Sequence, residues 1–150
     1  MASKLAFLAL LLPLVAAATE HYEVYGNSRF GFTVDIPSNF VPQGESDNGD
    51  GQVFVHKSTN ARIIASGGWL MEPEIECSAS ARRDHEDGEI TYRHAKGGTS
   101  VISGKQGSSI FYAKTVRTND RCLNLLITYP HEDREMFDSV VKRVSRSFDG

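Results

Sequence analysis

Cysteine, tryptophan, proline and long apolar runs are all scarce in this chain, and each scarcity narrows what it can be. Its 150 residues hold two cysteines, one tryptophan and five prolines. With no Cys-x-x-Cys spacing, Cys77 and Cys122 form neither a dithiol redox motif nor a dense disulfide scaffold. Positive charge does not prevail either: 16 Lys and Arg stand against 19 Asp and Glu, a formal net charge of −3. Such a chain lacks the positive field that nucleic acid or an anionic lipid surface selects, so neither is expected as a partner. Beyond Ala18 no apolar stretch is long enough to span a bilayer, and no cysteine follows the first apolar run to carry a lipid. No membrane anchor is expected.

The single strong apolar run comes first. Met1 to Lys4 is weakly positive, Leu5 to Val15 is almost unbroken, and Ala16-Ala17-Ala18 offers the small side chains a signal peptidase reads. The run is too short for a stable span, and Pro13 interrupts it. Residues 1–18 are therefore expected to be a cleaved signal peptide, with residues 19–150 a single domain that is periplasmic or secreted. Loss of Lys4 makes that domain one charge more acidic. A domain of this size buries roughly two-thirds of its unfolded surface, so one hydrophobic core suffices. In an oxidising compartment Cys77 and Cys122 are expected to pair, and a loop of that length is worth about 4 kcal/mol in chain entropy. The alternative is two buried thiols too far apart to join.

Alternation of apolar and polar residues dominates the rest. Phe30, Phe32, Val34 and Ile36 point one way and Gly31, Thr33 and Asp35 the other, until Pro37 ends the strand. Tyr22 to Tyr25 precedes it as a short strand, with a turn at Gly26-Asn27, and Ser38 to Gly51 reads as loop. Strands over 52–57 and 61–69 flank the Ser58-Thr59-Asn60 turn. A modest helix follows over Glu76 to Asp87, with Ser78 as N-cap and Gly88 as left-handed terminator. Strands over 89–94, 99–103, 109–118 and 121–129 come next, the last two joined by the two-residue connection Asn119-Asp120. A final helix begins near His131, with Met136, Phe137, Val140, Val141, Val144 and Phe148 as its apolar stripe. Acids lead in that helix and bases close it, as its dipole favours. The class is α+β: a mostly antiparallel sheet of about six to seven strands with two helices packed on it.

Several motifs carry a resemblance. Tyr25-Gly26-Asn27 leads into Phe30-Gly31-Phe32, Ile36-Pro37 and Phe40; Asp50-Gly51-Gln52-Val53-Phe54 follows. Ser103-Gly104 precedes Phe111-Tyr112, Tyr129-Pro130 precedes the last helix, and Ser147-Phe148 closes it. Over about Tyr22 to Phe148 the chain resembles small secreted bacterial proteins of uncharacterised function with a PsbP-like α/β sandwich fold. The resemblance implies an accessory or assembly scaffold, and it carries no metal or partner contact onto any residue.

Patterns that would carry chemistry fail on spacing. Registering Asp47-Asn48-Gly49-Asp50-Gly51 as a calcium loop puts Ser46 first and Lys57 where a bidentate glutamate belongs, so a tight turn is the better reading. Among His21, His56, His85, His94 and His131 no two stand three or four residues apart, and no metal is expected. Ser103-Gly104-Lys105-Gln106-Gly107-Ser108 lies between strands, so it is neither a nucleophile elbow nor a phosphate loop. Glu72, Glu74 and Glu76 share an extended face and repel, and Arg82 and Arg83 read as a solvated helix face. No catalytic residue and no cofactor is expected.

One stretch points elsewhere. Gly67-Gly68 precedes Trp69-Leu70-Met71, the lone tryptophan and two large apolar residues at the end of a strand. Such anchors are over-represented in contact surfaces; the competing reading is that Trp69 plugs one end of the core. The expectation is an exported, non-catalytic binding or accessory module whose partner is a protein or cell-envelope component. Two alternatives stay open: a small secreted hydrolase whose residues converge only in three dimensions, and a periplasmic immunity protein that blocks a delivered toxin.

Overall fold

A computed structural model describes residues 20–71 and 76–150. The expected signal peptide, with Glu72 and Glu74 of the acidic triplet, lies outside these residues. The elements run β1 (Tyr22–Asn27), β2 (Phe32–Pro37), β3 (Phe40–Glu45), β4 (Gly51–His56), β5 (Arg62–Trp69), α1 (Ser78–Asp84), β6 (Glu89–Lys96), β7 (Thr99–Gln106), β8 (Ser109–Arg117), β9 (Arg121–Pro130) and α2 (Arg134–Ser147). A 3-10 turn over His131–Asp133 leads into α2.

Seven strands form one sheet in the order β3-β4-β5-β9-β8-β7-β6, and β1 and β2 make a separate ribbon. Every named pairing is antiparallel. Alternation along β9 explains its central place. Leu123, Leu125, Ile127 and Tyr129 are buried against α2 and the ribbon, while Asn124, Leu126 and Thr128 take the other face. The main core gathers Phe30, Phe32, Val34 and Ile36 from the ribbon side, Ile63 and Ala65 from β5, Phe137, Val140 and Val144 from α2, and Phe148 just past its end. On the opposite face α1 covers a smaller cluster of Ile102, Phe111 and Ala113.

Several local expectations are corrected. The stretch read as loop from Ser38 to Gly51 contains β3, an edge strand whose one buried residue is Phe40. Its Pro42 and Gly44 hide it in sequence, and an edge tolerates them. Ser78 does not cap α1: Cys77 precedes the helix without a side-chain cap bond, and Ser78 Oγ donates to Glu76 Oε1 at 2.6 Å. Gly88 is not left-handed. Its missing Cβ leaves room for the Lys105 carbonyl, which would stand 3.0 Å away. The turn after β1 centres further on, where Gly31 takes φ +64°. The Asn119-Asp120 connection stands as expected, because the Thr118 N–H donates to the Arg121 carbonyl at 2.9 Å and closes a two-residue loop.

Lys114 fastens the end of α2 to the sheet. Its Nζ donates to the carbonyls of Ser145 and Phe148 at 2.8 and 2.9 Å, groups a helix terminus otherwise leaves unsatisfied. Lys114→Met keeps the stem and removes the donor. The expected loss is about 1–3 kcal/mol of unfolding free energy, read by urea titration.

Candidate functional site

Trp69 ends β5 on the core-facing side of the sheet, two residues beyond Gly67. A Cβ at Gly67 would stand 2.3 Å from Phe30 Cγ, so only glycine lets the Phe30 ring lie on the strand. Trp69 then packs on that ring, with centroids 5.1 Å apart and planes tilted by 50°. Trp69 thus lies against the core without being enclosed by it. It closes the core over Phe30, which is 1% exposed, yet itself stays 49% exposed. Leu70 is half-buried, its N–H held by the Asp120 carbonyl at 2.8 Å, and Met71 is 84% exposed.

Charge surrounds this apolar end. Arg121, paired with Trp69 across β5 and β9, carries its guanidinium over Gly31, 3.4 Å from where a Cβ would be. Its buried Nε makes no hydrogen bond, and Asp120 Oδ1 lies 3.7 Å away. Arg29 sits over the Phe30 ring at 5.3 Å, pairs with Asp50 at 3.1 Å and donates to the Asn48 carbonyl. These arginines were not singled out in sequence, because only the fold brings residues 29, 69 and 121 to one end. The glycine pair before Trp69 was the one local sign of a close approach there.

The Asp47–Gly51 segment is a hairpin turn. Ser46 Oγ accepts from the Asp50 and Gly51 amides at 2.9 and 3.3 Å, and Asp50 is engaged by Arg29. Among the described residues no three His, Cys, Asp or Glu side chains converge as metal ligands would.

Cys77 and Cys122 are bonded, with Cα atoms 5.5 Å apart. The bridge ties the residue before α1 to β9 beside Gly68. Next to it, Glu76 forms a two-pronged pair with Arg82 at 2.8 and 2.7 Å. The Arg82 hydrogen bonds, helped by Ser78, hold the Glu76 carboxyl down to about 2. A depressed carboxyl stabilises the fold fully above its unfolded value near 4.5, and that support fades as pH falls through about 2. An NMR titration should place the Glu76 midpoint near 2, with α1 amides losing protection over the same window.

A cavity of about 290 Å³ beside α1 brings together His85, Asp84, Ser66, Thr115 and Asn124. Sequence spacing gave no hint of this grouping. His85 is buried, stacked flat on Phe111 at 3.9 Å, and its Nδ1 lies 2.7 Å from Gln106 Oε1. The hydrogen bond of His85 thus runs to the Gln106 amide. His56 is likewise a core residue, set against Phe40 and Phe137 with Nδ1 3.0 Å from Thr59 Oγ1.

No protein-family model matches the chain, and no curated protein sequence matches it. Its fold is similar to the solution structure of cyanobacterial PsbP (CyanoP) from Synechocystis sp. PCC 6803. The TM-score is 0.60 at 11% identity, over 93% of this chain and 96% of that one. The fold is a PsbP-like α+β sandwich, as the sequence motifs implied. At 11% identity the likeness speaks to fold alone.

Proposed function

We propose that this PsbP-like domain is an exported, non-catalytic accessory module that works in the periplasm or outside the cell. It binds a protein of the cell envelope through the end formed by Trp69, Leu70 and Met71. The observation that carries the reading is the half-exposed Trp69 ring, packed from beneath on Phe30. A large aromatic already packed on one face loses less side-chain entropy on contact, which is what a binding anchor requires. Arg29 and Arg121 beside it supply the polar rim.

The test is a comparison of wild-type and Trp69→Ala protein as bait in envelope extract, followed by titration of the recovered partner. Truncating an anchor costs about 2 kcal/mol or more, so affinity should fall roughly 30-fold or beyond. Equal recovery by both baits would move the contact elsewhere. Turnover of a substrate by the pure protein would overturn the non-catalytic reading.

A further inference from the structure

Antiparallel register sets two rows of side chains side by side on the sheet face that α1 partly covers. Ser66 pairs with Asn124 and Asn124 with Thr115, so three polar residues of β5, β9 and β8 stand in line. Two residues along each strand, Ile64 pairs with Leu126 and Leu126 with Ala113, an apolar line beside the polar one. Both rows line the cavity of about 290 Å³ beside α1, and Ala81 and Asp84 of the helix, with His85 at its end, close one side. Lys114 also borders it but alternates to the other face, where its ammonium meets the Ser145 and Phe148 carbonyls.

The polar row has no partners in the protein. Among the described residues the side chains of Ser66, Thr115 and Asn124 make no hydrogen bond. Thr115 is the decisive member, because it is only 3% exposed. A hydroxyl kept from bulk water without a partner destabilises the fold, and valine would fill the same space without that cost. Packing alone therefore does not call for threonine there, whereas a ligand does. Hydroxyls and a primary amide both donate and accept, so the row suits groups that do the same. No arginine lines the cavity, and its carboxylate is that of exposed Asp84, so the site is not set for an anion. The His85 ring lies flat on Phe111 with Nδ1 turned to Gln106.

We propose that this cavity binds an uncharged, hydroxyl-rich molecule of monosaccharide size. The hydroxyl edge of a sugar ring exchanges hydrogen bonds with Thr115, Asn124 and Ser66, while its C–H face lies over Ile64, Leu126 and Ala113. Asp84 offers an acceptor for a further hydroxyl. The volume is at the lower end of ligand pockets, so it holds one ring and not a chain of them. The site lies on the opposite face of the sheet from α2 and does not rest on the Trp69 reading.

The probes are D-glucose, D-galactose, D-mannose, D-ribose and N-acetyl-D-glucosamine, each titrated through the millimolar range into 15N-labelled protein. At least one should shift the backbone amides of Ser66 and Thr115 and the Asn124 side-chain amide saturably, with Val34 and Phe137 unmoved. Thr115→Val should weaken that binding about tenfold or more while leaving the urea midpoint unchanged or raised. Inorganic phosphate and ethylamine, as charged comparators, should shift none of these signals. No saturable shift with any sugar, wild-type affinity in Thr115→Val, or tighter binding of either charged probe would each overturn the proposal. A lowered urea midpoint in Thr115→Val would do so too, by giving the hydroxyl a structural role. Trp69→Ala should bind the sugar as wild type does, so failure of this site and failure of the envelope-partner reading are told apart.

Discussion

Replacing Cys77 and Cys122 together by alanine should lower the unfolding free energy by about 4 kcal/mol, the chain-entropy value for the 45-residue separation they close. The loss has a local component as well as a global one. The bridge fixes the start of α1 against β9, and α1 is the only described element laid over Ile102, Phe111 and Ala113. Without it, those residues should open before the main core does, which hydrogen exchange at Ile102 and Ala113 would register. Denaturant titration with and without reductant measures the total. An unmoved midpoint on reduction would show that packing alone holds α1 in place.

Gly67→Ala is expected to cost about 3 kcal/mol, because the new methyl overlaps Phe30 Cγ and Cβ at 2.3 and 2.5 Å. Both contacts involve a ring that is itself fully enclosed, so it cannot swing aside cheaply. Trp69 rests on that ring, and its emission should shift red as the seat is displaced. A double-mutant cycle isolates the clash. In a Phe30→Ala background, which alone costs about 3–5 kcal/mol, the added methyl should cost under about 1 kcal/mol. Additive losses would mean that Gly67 matters for some reason other than Phe30.

What the sequence revealed and what it concealed divide along locality. β8 and β9 announce themselves because each alternates cleanly and a two-residue loop joins them. The stripe in α2 is equally plain: Phe137, Val140, Val144 and Phe148 are buried, whereas Met136, read into the same stripe, is 55% exposed. β3 escapes because Pro42 and Gly44 look like loop residues, and one buried side chain, Phe40, makes no alternation. Helix α1 is shorter than its charged flank suggests, since Glu86 and Asp87 extend past the last helical residue. The Trp69 end was half legible: an aromatic after two glycines is visible, but its seat lies 39 residues upstream at Phe30. His85 and Gln106 meet across 21 residues. That β3 ends the sheet among the described residues could not be read at all, because an edge is defined by what fails to pair with it.

The position of β9 within its sheet has a consequence for how the polypeptide matures. It is the last of the described strands in chain order, yet β5 and β8 both bond to it and are joined to each other through it. Until Arg121–Pro130 has emerged, the earlier strands can assemble only as two disconnected halves, β3-β4-β5 and β6-β7-β8. Joining β5 to β9 closes a long stretch of intervening polypeptide, a step that topology makes slow. Locking of the seven-stranded sheet therefore waits on β9, the one described strand that both halves share.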